Sequence, residues 1–345
     1  MDFRKEASKK REVYLDFLRI IAIFMIIYNH TAAFFMVSSD FCYAIPAMLC
    51  KMGVPIFFLI SGALLLGKQE PIRKLLTKRV LRMTIVLVLI SVVAYLFNVI
   101  HYKRYEEASI VEFIQQFMTC SIDASYWYLY AYIGFLCCLP LLRPMAQYMN
   151  VSSYIYFSIL NLLVSIVWPL INDVHYIELT GHLNFPLISN FVWLAVTGYF
   201  IRKERIQVSR RKECCIALGV TLGCMLISLV ILWAKGKACP ENYNILDRFS
   251  PIMAACIFIM VKNVDSAIRL KERFAGGGVT TLGSCTFGIY LFQYIFLRIT
   301  DPICWKLMNT ISVFSASVIQ ILIIVAAGYI LTYILKGIPG VRRLL

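Results

Sequence analysis

The sequence predicts an all-α polytopic membrane protein with about ten transmembrane helices and both termini in the cytoplasm. Three observations lead to this fold class: the composition, the lengths of the apolar segments and the placement of the basic residues. Of the 345 residues, 60% are apolar and 15% are charged, whereas soluble domains contain about 45–50% apolar and about 25% charged residues. The chain is therefore too apolar for a single water-soluble core, and the same figures exclude a disordered or a collagen-like chain.

Ten segments are apolar over a length close to the ~20 residues that a membrane-spanning helix needs. They cover residues 14–36, 43–66, 83–100, 126–142, 153–170, 185–201, 213–234, 249–261, 280–297 and 311–335. Between the third and fourth segments, apolar residues recur at helical spacing over residues 108–120. This pattern predicts an amphipathic helix along the outer membrane interface, with a lid over the outer mouth as the alternative.

The placement of Lys and Arg predicts the orientation of the chain. Of the 34 basic residues, 25 fall in the predicted cytoplasmic segments and 7 in the outer ones, which is the positive-inside pattern. This asymmetry also explains the net charge of +15, so membrane lipid rather than nucleic acid is the predicted partner. We expect a multi-pass protein of the cell (inner, or cytoplasmic) membrane.

The ten spans form one predicted domain over residues 1–345. It consists of a basic cytoplasmic N-terminus at 1–13, a helical core at 14–335 and a cytoplasmic tail at 336–345.

The first span contains ionisable side chains at positions where lipid disfavours them. Asp16 and Arg19 are three residues apart and share a helical face, and His30 follows Arg19 by eleven residues. Eleven residues turn a regular α-helix by about 20° more than three full turns and advance it by about 16 Å. The spacing therefore predicts Arg19 near the cytoplasmic end and His30 farther out on the same face. The alternative is a snorkelling Arg19 paired with Asp16, beside a His30 that only packs.

This arrangement suggests a particular donor. Arginine binds phosphate groups, and a histidine exchanges protons near neutral pH. Coenzyme A joins a phosphate-rich nucleotide to a long thioester arm, so it could contact both Arg19 and His30. We therefore predict acyl-CoA, most simply acetyl-CoA, as a co-substrate. His30 would be the general base, with a transient acyl-His30 as a variant of the mechanism.

Three further basic residues are candidates for holding this donor. Lys51 is a second cation inside a span, and Arg79 and Arg82 share a helical face where the third span begins. The alternative for the two arginines is ordinary flanking of a span by positive charge. Ser61 lies in no nucleophile motif, and no group of His, Cys, Asp and Glu has metal-ligand spacing, so no metal is predicted.

Four sequence elements together resemble the acyltransferase-3 family of membrane acyltransferases, which O-acylate cell-envelope sugars and related acceptors. The first is the Asp16, Arg19 and His30 spacing. The others are GVPIFFLISGALLL at 53–66, RVLR at 79–82 and FGIYLFQY at 287–294. The resemblance, together with the ten-span layout, covers nearly the whole chain.

The resemblance implies a catalytic His30, a donor-binding or catalytic set of Arg19, Arg79 and Arg82, and a Tyr290 near the acyl pathway. We predict Asp16, which shares a face with Arg19, as a catalytic residue together with Arg19 and His30. Where the family often has a histidine after the Ile-Tyr-Leu run, this chain has Gln293. The implied acceptor is an envelope glycan or its lipid-linked precursor. A secondary transporter of an envelope sugar or related small molecule and a non-catalytic assembly partner are the alternatives.

Overall fold

The computed structural model describes residues 12–106, 108–175, 188–204, 209–235, 242–268 and 277–345. All regular secondary structure in these ranges is helical. The helices are α1 Val13–Tyr28, α2 Ala32–Phe35, α3 Ala44–Cys50, α4 Gly53–Leu65, α5 Ile72–His101, α6 Ile110–Met118, α7 Trp127–Tyr148, α8 Val151–Leu162, α9 Trp168–His175, α10 Asn190–Arg202, α11 Arg210–Lys235, α12 Asn242–Arg248, α13 Ser250–Ile268, α14 Gly278–Met308, α15 Val313–Leu335 and α16 Pro339–Arg342. The predicted all-α class is therefore confirmed.

Seven helical segments in the described ranges are long and apolar enough to cross a membrane. They are Phe41–Leu65, Ile72–His101, Ala124–Tyr148, Val151–Asp173, Arg210–Lys235, Gly278–Met308 and Val313–Leu335. The other three predicted spans correspond to α1, α10 and α13, of which α1 has 16 residues and α10 has 13. Residues 185–187 of the predicted sixth span lie outside the described residues. The count of ten and the sides of the termini stay predictions.

Several helix boundaries differ from those of the predicted spans, because hydropathy marks the membrane-crossing part of a helix rather than its ends. The first span was expected to continue to residue 36, but α1 ends at Tyr28. The helix α5 begins at Ile72, eleven residues before the predicted span, and passes through a π-helical turn at Leu76–Val80. Its basic first turns remain helical since Lys and Arg are good helix formers.

Polar side chains cap the starts of several helices and explain why these helices begin where they do. Ser109, Asn150, Ser189 and Ser312 each accept a hydrogen bond from a main-chain N–H in the first turn of the helix that follows. Each cap satisfies one of the donors that a helix start leaves unpaired. The cap at Ser109 begins α6, the amphipathic helix that the sequence predicts outside the spans.

The described residues form two compact units. One contains residues from 12–68 and 142–284, and the other contains residues 69–141 and 285–345. In the first unit, α4 is the central helix and packs against α1, α10 and α13. In the second unit, α14 packs closely on α15, where Gly288 lies against Thr332 and Gly328 against Ile289.

The tightest packing in the first unit is the crossing of α4 and α10. A Cβ atom on Gly62 would overlap the main chain of Ala195, and one on Gly198 would overlap the main chain of Leu59. The two helices therefore approach until their backbones touch, as small residues permit between membrane helices. Gly62 and Gly198 are thus the paired small residues of this crossing.

We expect Gly62→Ala and Gly198→Ala each to lower the stability of the protein by about 1–3 kcal/mol, because the added methyl group forces the two backbones apart. Gly219→Ala in α11 is the matched control, since a Cβ there meets nothing within 4 Å. Alanine is also the better helix former, so this variant should match the wild type or exceed it. Thermal unfolding of the purified proteins would test this. Equal stability of all three variants would contradict the proposed backbone contact.

Candidate functional site

Asp16 and Arg19 form an ion pair on α1. The Nη1 atom of Arg19 lies 2.7 Å from Oδ1 of Asp16. The Asp16 side chain is fully buried, whereas the Arg19 side chain is 26% exposed. Gly283, near the start of α14, packs directly against Asp16, so that even a Cβ atom there would collide with the aspartate side chain. The shared face predicted for Asp16 and Arg19 is thus confirmed, and the charged pair lies within the packed unit.

His30 lies just after α1 rather than inside it. The helix ends at Tyr28, and the main-chain N–H of His30 donates to the carbonyl of Ile27 in a tight turn. By Thr31 the backbone is extended. The expectation that one continuous helix carries Arg19 and His30 was therefore wrong by two residues. The physical reason is the turn, which releases His30 from helical packing and leaves the residue exposed.

The turn of His30 is fixed to a second turn that contains Lys51. The Nδ2 atom of Asn29 donates to the main-chain carbonyl of Cys50 at 2.9 Å. Lys51 lies between α3 and α4, and its Nζ atom is 4.9 Å from the centre of the Phe34 ring. This distance is that of a cation–π contact. The structure therefore holds the turns of His30 and Lys51 next to each other, although the two residues are 21 positions apart.

Arg79 and Arg82 lie on α5, in and just after its π-helical turn, and each has its own protein partner. Nε of Arg79 donates to both carboxylate oxygens of Glu70, at 3.0 and 3.2 Å. Arg82 donates through Nε and Nη2 to the carbonyl of Leu344. These bonds use part of each guanidinium group, which carries five N–H donors. Both arginines are partly exposed.

Tyr290 is buried in α14, and its hydroxyl donates to the main-chain carbonyl of Ser125 at 2.5 Å. Nearby, the hydroxyl of Tyr126 donates to the carbonyl of Leu291 at 3.1 Å. The ring of Tyr128 meets that of Tyr290 edge to face at 5.5 Å. Tyr290, for which the resemblance implies a place near the acyl pathway, thus connects the segment just before α7 to α14.

Gln293, one turn beyond Tyr290, is fully buried. Within the ranges that the structure describes, neither of its amide atoms has a hydrogen-bond partner. A buried amide without partners costs about 1–3 kcal/mol, and such groups in native proteins call for an ordered water or a ligand. The position where the family often has histidine is therefore occupied here by a side chain that lacks protein partners.

A cysteine nucleophile is disfavoured in the segment between α6 and α7. Burial raises the pKa of the Cys120 thiol, and the nearby carboxylate of Asp123 raises it further. Because the reactive species is the thiolate, this thiol stays protonated near neutral pH. The described residues also contain no group of three or more His, Cys, Asp or Glu side chains that could hold a metal ion.

The predicted site residues divide between the two units. Asp16, Arg19, His30 and Lys51 belong to the first unit, and Arg79, Arg82 and Tyr290 belong to the second.

Sequence reasoning did not find several polar partners of these residues. Glu70 lies nine positions before Arg79 in a segment interpreted only as a cytoplasmic loop. The main-chain carbonyls of Ser125 and Leu344 carry no sequence signal at all. Asn29 could have been noticed as a polar residue next to His30 inside an apolar segment.

Several apolar helices of membrane-spanning length, with ionisable side chains among them, define an integral membrane protein of the α-helical class. The chain belongs to the acyltransferase-3 family, since the model of that family, an acyltransferase domain, matches residues 12–337. The match extends over nearly the whole chain and confirms the resemblance drawn from the four sequence elements. The protein is therefore a membrane acyltransferase. No curated protein and no solved structure matches the chain.

The Asp16–Arg19 pair allows a direct test of how the buried charge is stabilised. We expect Arg19→Gln to lower stability by up to about 3–5 kcal/mol, because it removes the positive charge beside a buried carboxylate. Adding Asp16→Asn removes the negative charge as well, so the double variant should recover much of the loss.

Thermal unfolding of the single and double variants would measure this coupling. Arg298→Gln is the control, since Arg298 and Asp301 form an exposed pair with the same three-residue spacing. Loss of this exposed ion pair should lower stability by at most about 1 kcal/mol. A double variant as unstable as Arg19→Gln would contradict charge compensation as the role of the pair.

Proposed function

We propose that this membrane acyltransferase moves an acyl group, most simply acetyl, from cytoplasmic acyl-CoA to a hydroxyl group of a cell-envelope glycan or its lipid-linked precursor. It would act in the cell (inner) membrane as an O-acetyltransferase. The observation that carries the proposal is the position of His30, an exposed imidazole in a turn tied through Asn29 to the turn of Lys51. Membership of the acyltransferase-3 family supplies the reaction class.

In this mechanism His30 acts as a general base. Its unprotonated ring nitrogen takes the proton from the acceptor hydroxyl while that oxygen attacks the thioester carbonyl. Collapse of the tetrahedral intermediate forms the new ester and breaks the carbon–sulfur bond. The departing thiolate then takes the proton from the imidazolium, so His30 returns to its neutral form. General-base catalysis of this kind contributes about 10²–10⁴-fold to a rate.

The charged residues receive separate roles in the proposal. Asp16 and Arg19 complete the catalytic set with His30, and their ion pair lies in the first turns of α1, where Asp16 packs against Gly283. Arg79, Arg82 and Lys51 bind the negatively charged donor, for which guanidinium groups suit phosphate oxygens in a bidentate geometry. Tyr290 forms part of the wall along the acyl group.

We expect His30→Ala to reduce acyl transfer by about 10²–10⁴-fold while the protein remains folded and binds coenzyme A. His175→Ala is the matched control, because no role is assigned to that histidine, and it should keep full activity. Release of coenzyme A and acylation of envelope glycans, followed by mass spectrometry, would measure the effect.

Near-normal transfer by His30→Ala would reject the general-base role, and loss of coenzyme A binding would make His30 a donor-site residue instead. Glycan movement across the membrane without release of coenzyme A would favour the transporter alternative.

The donor site is tested with coenzyme A alone. We expect the double variant Arg79→Ala/Arg82→Ala to bind coenzyme A about 10-fold or more weakly, since it removes charge-assisted hydrogen bonds to phosphate. Replacement of both residues by Lys should restore little of the affinity for coenzyme A, because an ammonium group lacks the bidentate geometry. Arg211→Ala, at an exposed basic residue of α11, serves as the control. Unchanged affinity in the double variant would remove the donor-binding role of the two arginines.

A further inference from the structure

The second unit contains a polar pocket of about 290 Å³ beside α6. Its wall combines the end of α5, the turn after it, one face of α6 and the middle of α14. The polar side chains that line it include Asn98, Tyr102, Arg104, Glu112, Gln116 and Tyr294. None of them belongs to the donor or catalytic residues assigned above.

The pocket is held in shape by hydrogen bonds around its rim. The hydroxyl of Tyr95 donates to the carbonyl of Ser109 and accepts from its main-chain N–H, which fixes the start of α6 to α5. At the other end of α6, the hydroxyl of Tyr130 donates to the carbonyl of Phe117 at 2.6 Å. The helix is thus attached at both ends, so the pocket is largely formed before any ligand enters.

Inside the pocket the polar groups are already oriented. The hydroxyl of Tyr294 donates to Oδ1 of Asn98 at 2.8 Å, and Nδ2 of Asn98 donates to the carbonyl of Ile122. On α6, Nε2 of Gln116 donates to Oε1 of Glu112 at 2.5 Å. Fixed amides and carboxylates of this kind offer donors and acceptors in defined directions.

The charges in the pocket restrict the class of ligand. Arg104 disfavours a cation and Glu112 disfavours an anion, so the pocket suits a ligand that is neutral overall. The guanidinium carbon of Arg104 lies 5.8 Å from the centre of the Tyr102 ring, which adds an aromatic surface at the rim. A molecule rich in hydroxyl groups can donate to Glu112, accept from Arg104 and exchange hydrogen bonds with the amides.

The size of the pocket points the same way. Its volume of about 290 Å³ is at the lower limit of the about 300–1,000 Å³ typical of sites for drug-sized ligands. This space suits one sugar ring rather than several. The sequence predicts that the segment after α5 is on the outer side of the membrane, where an envelope glycan would be presented.

We propose that this pocket binds one saccharide unit of the acceptor glycan. The assignment of the sugar as acceptor rests on the proposed acyl transfer, whereas the binding itself does not. Arg104 and Glu112 are its specificity-determining residues.

The test measures sugar binding without donor or turnover. The full chain in lipid nanodiscs is mixed with methyl glycosides of glucose, galactose, mannose, rhamnose and N-acetylglucosamine, and saturation-transfer NMR detects binding. We expect saturable binding of at least one glycoside. Arg104→Gln and Glu112→Gln should each weaken it by about 10-fold to 100-fold, the loss expected when a hydrogen bond to a charged group is removed.

Two matched controls come from the same segment. Lys103→Gln and Glu106→Gln remove charges of the same sign from exposed residues that do not line the pocket, so their binding should equal that of the wild type. His30→Ala should also bind normally, which separates this proposal from the catalytic one. No binding of any glycoside to the wild type, or equal binding by pocket and control variants, would overturn the proposal.

Discussion

The backbone contact between α4 and α10 is the constraint on which the first unit depends. Gly62 and Gly198 remove two side chains at the crossing, and the main chains of Ala195 and Leu59 occupy the space. Because lipid is as apolar as the helix surfaces, close van der Waals packing rather than burial from water holds such helices together. The helix α1 packs on α4, so its position follows from this crossing.

Two ion pairs show how charged side chains are compensated within the described helices. Asp16 is fully buried but lies 2.7 Å from the guanidinium of Arg19, and Arg79 meets the carboxylate of Glu70. Isolated charges in a membrane span would cost about 2.5–3.5 kcal/mol each. His30 differs from these residues, since it lies in an exposed turn rather than within the packed helix. In the proposed mechanism, this exposure lets His30 meet the acceptor.

The helical class and the Asp16–Arg19 face could be predicted from the sequence, because hydropathy and helical periodicity are local properties. The end of α1 at Tyr28 could not, since the sequence becomes apolar again over residues 32–36 although the helix has already ended. Contacts to main-chain carbonyls, such as Arg82 with Leu344 or Asn29 with Cys50, depend on tertiary packing and leave no pattern. The apolar face of α6 was recognised, but the pocket on its polar face was not.

The helix α6 also presents its apolar side outward. The exposed fractions are between 53% and 79% for Ile110, Val111, Ile114 and Met118. An amphipathic helix of this kind lies in the membrane interface with its apolar side buried in the headgroup region. The bilayer would thus cover the apolar side of α6, whose polar side forms a wall of the pocket. Detergent solubilisation replaces the lipid around α6 with a micelle of different curvature. It can therefore change the position of α6 and the shape of the pocket. Ligand binding in the proposed pocket therefore depends on the lipid as well as on the protein.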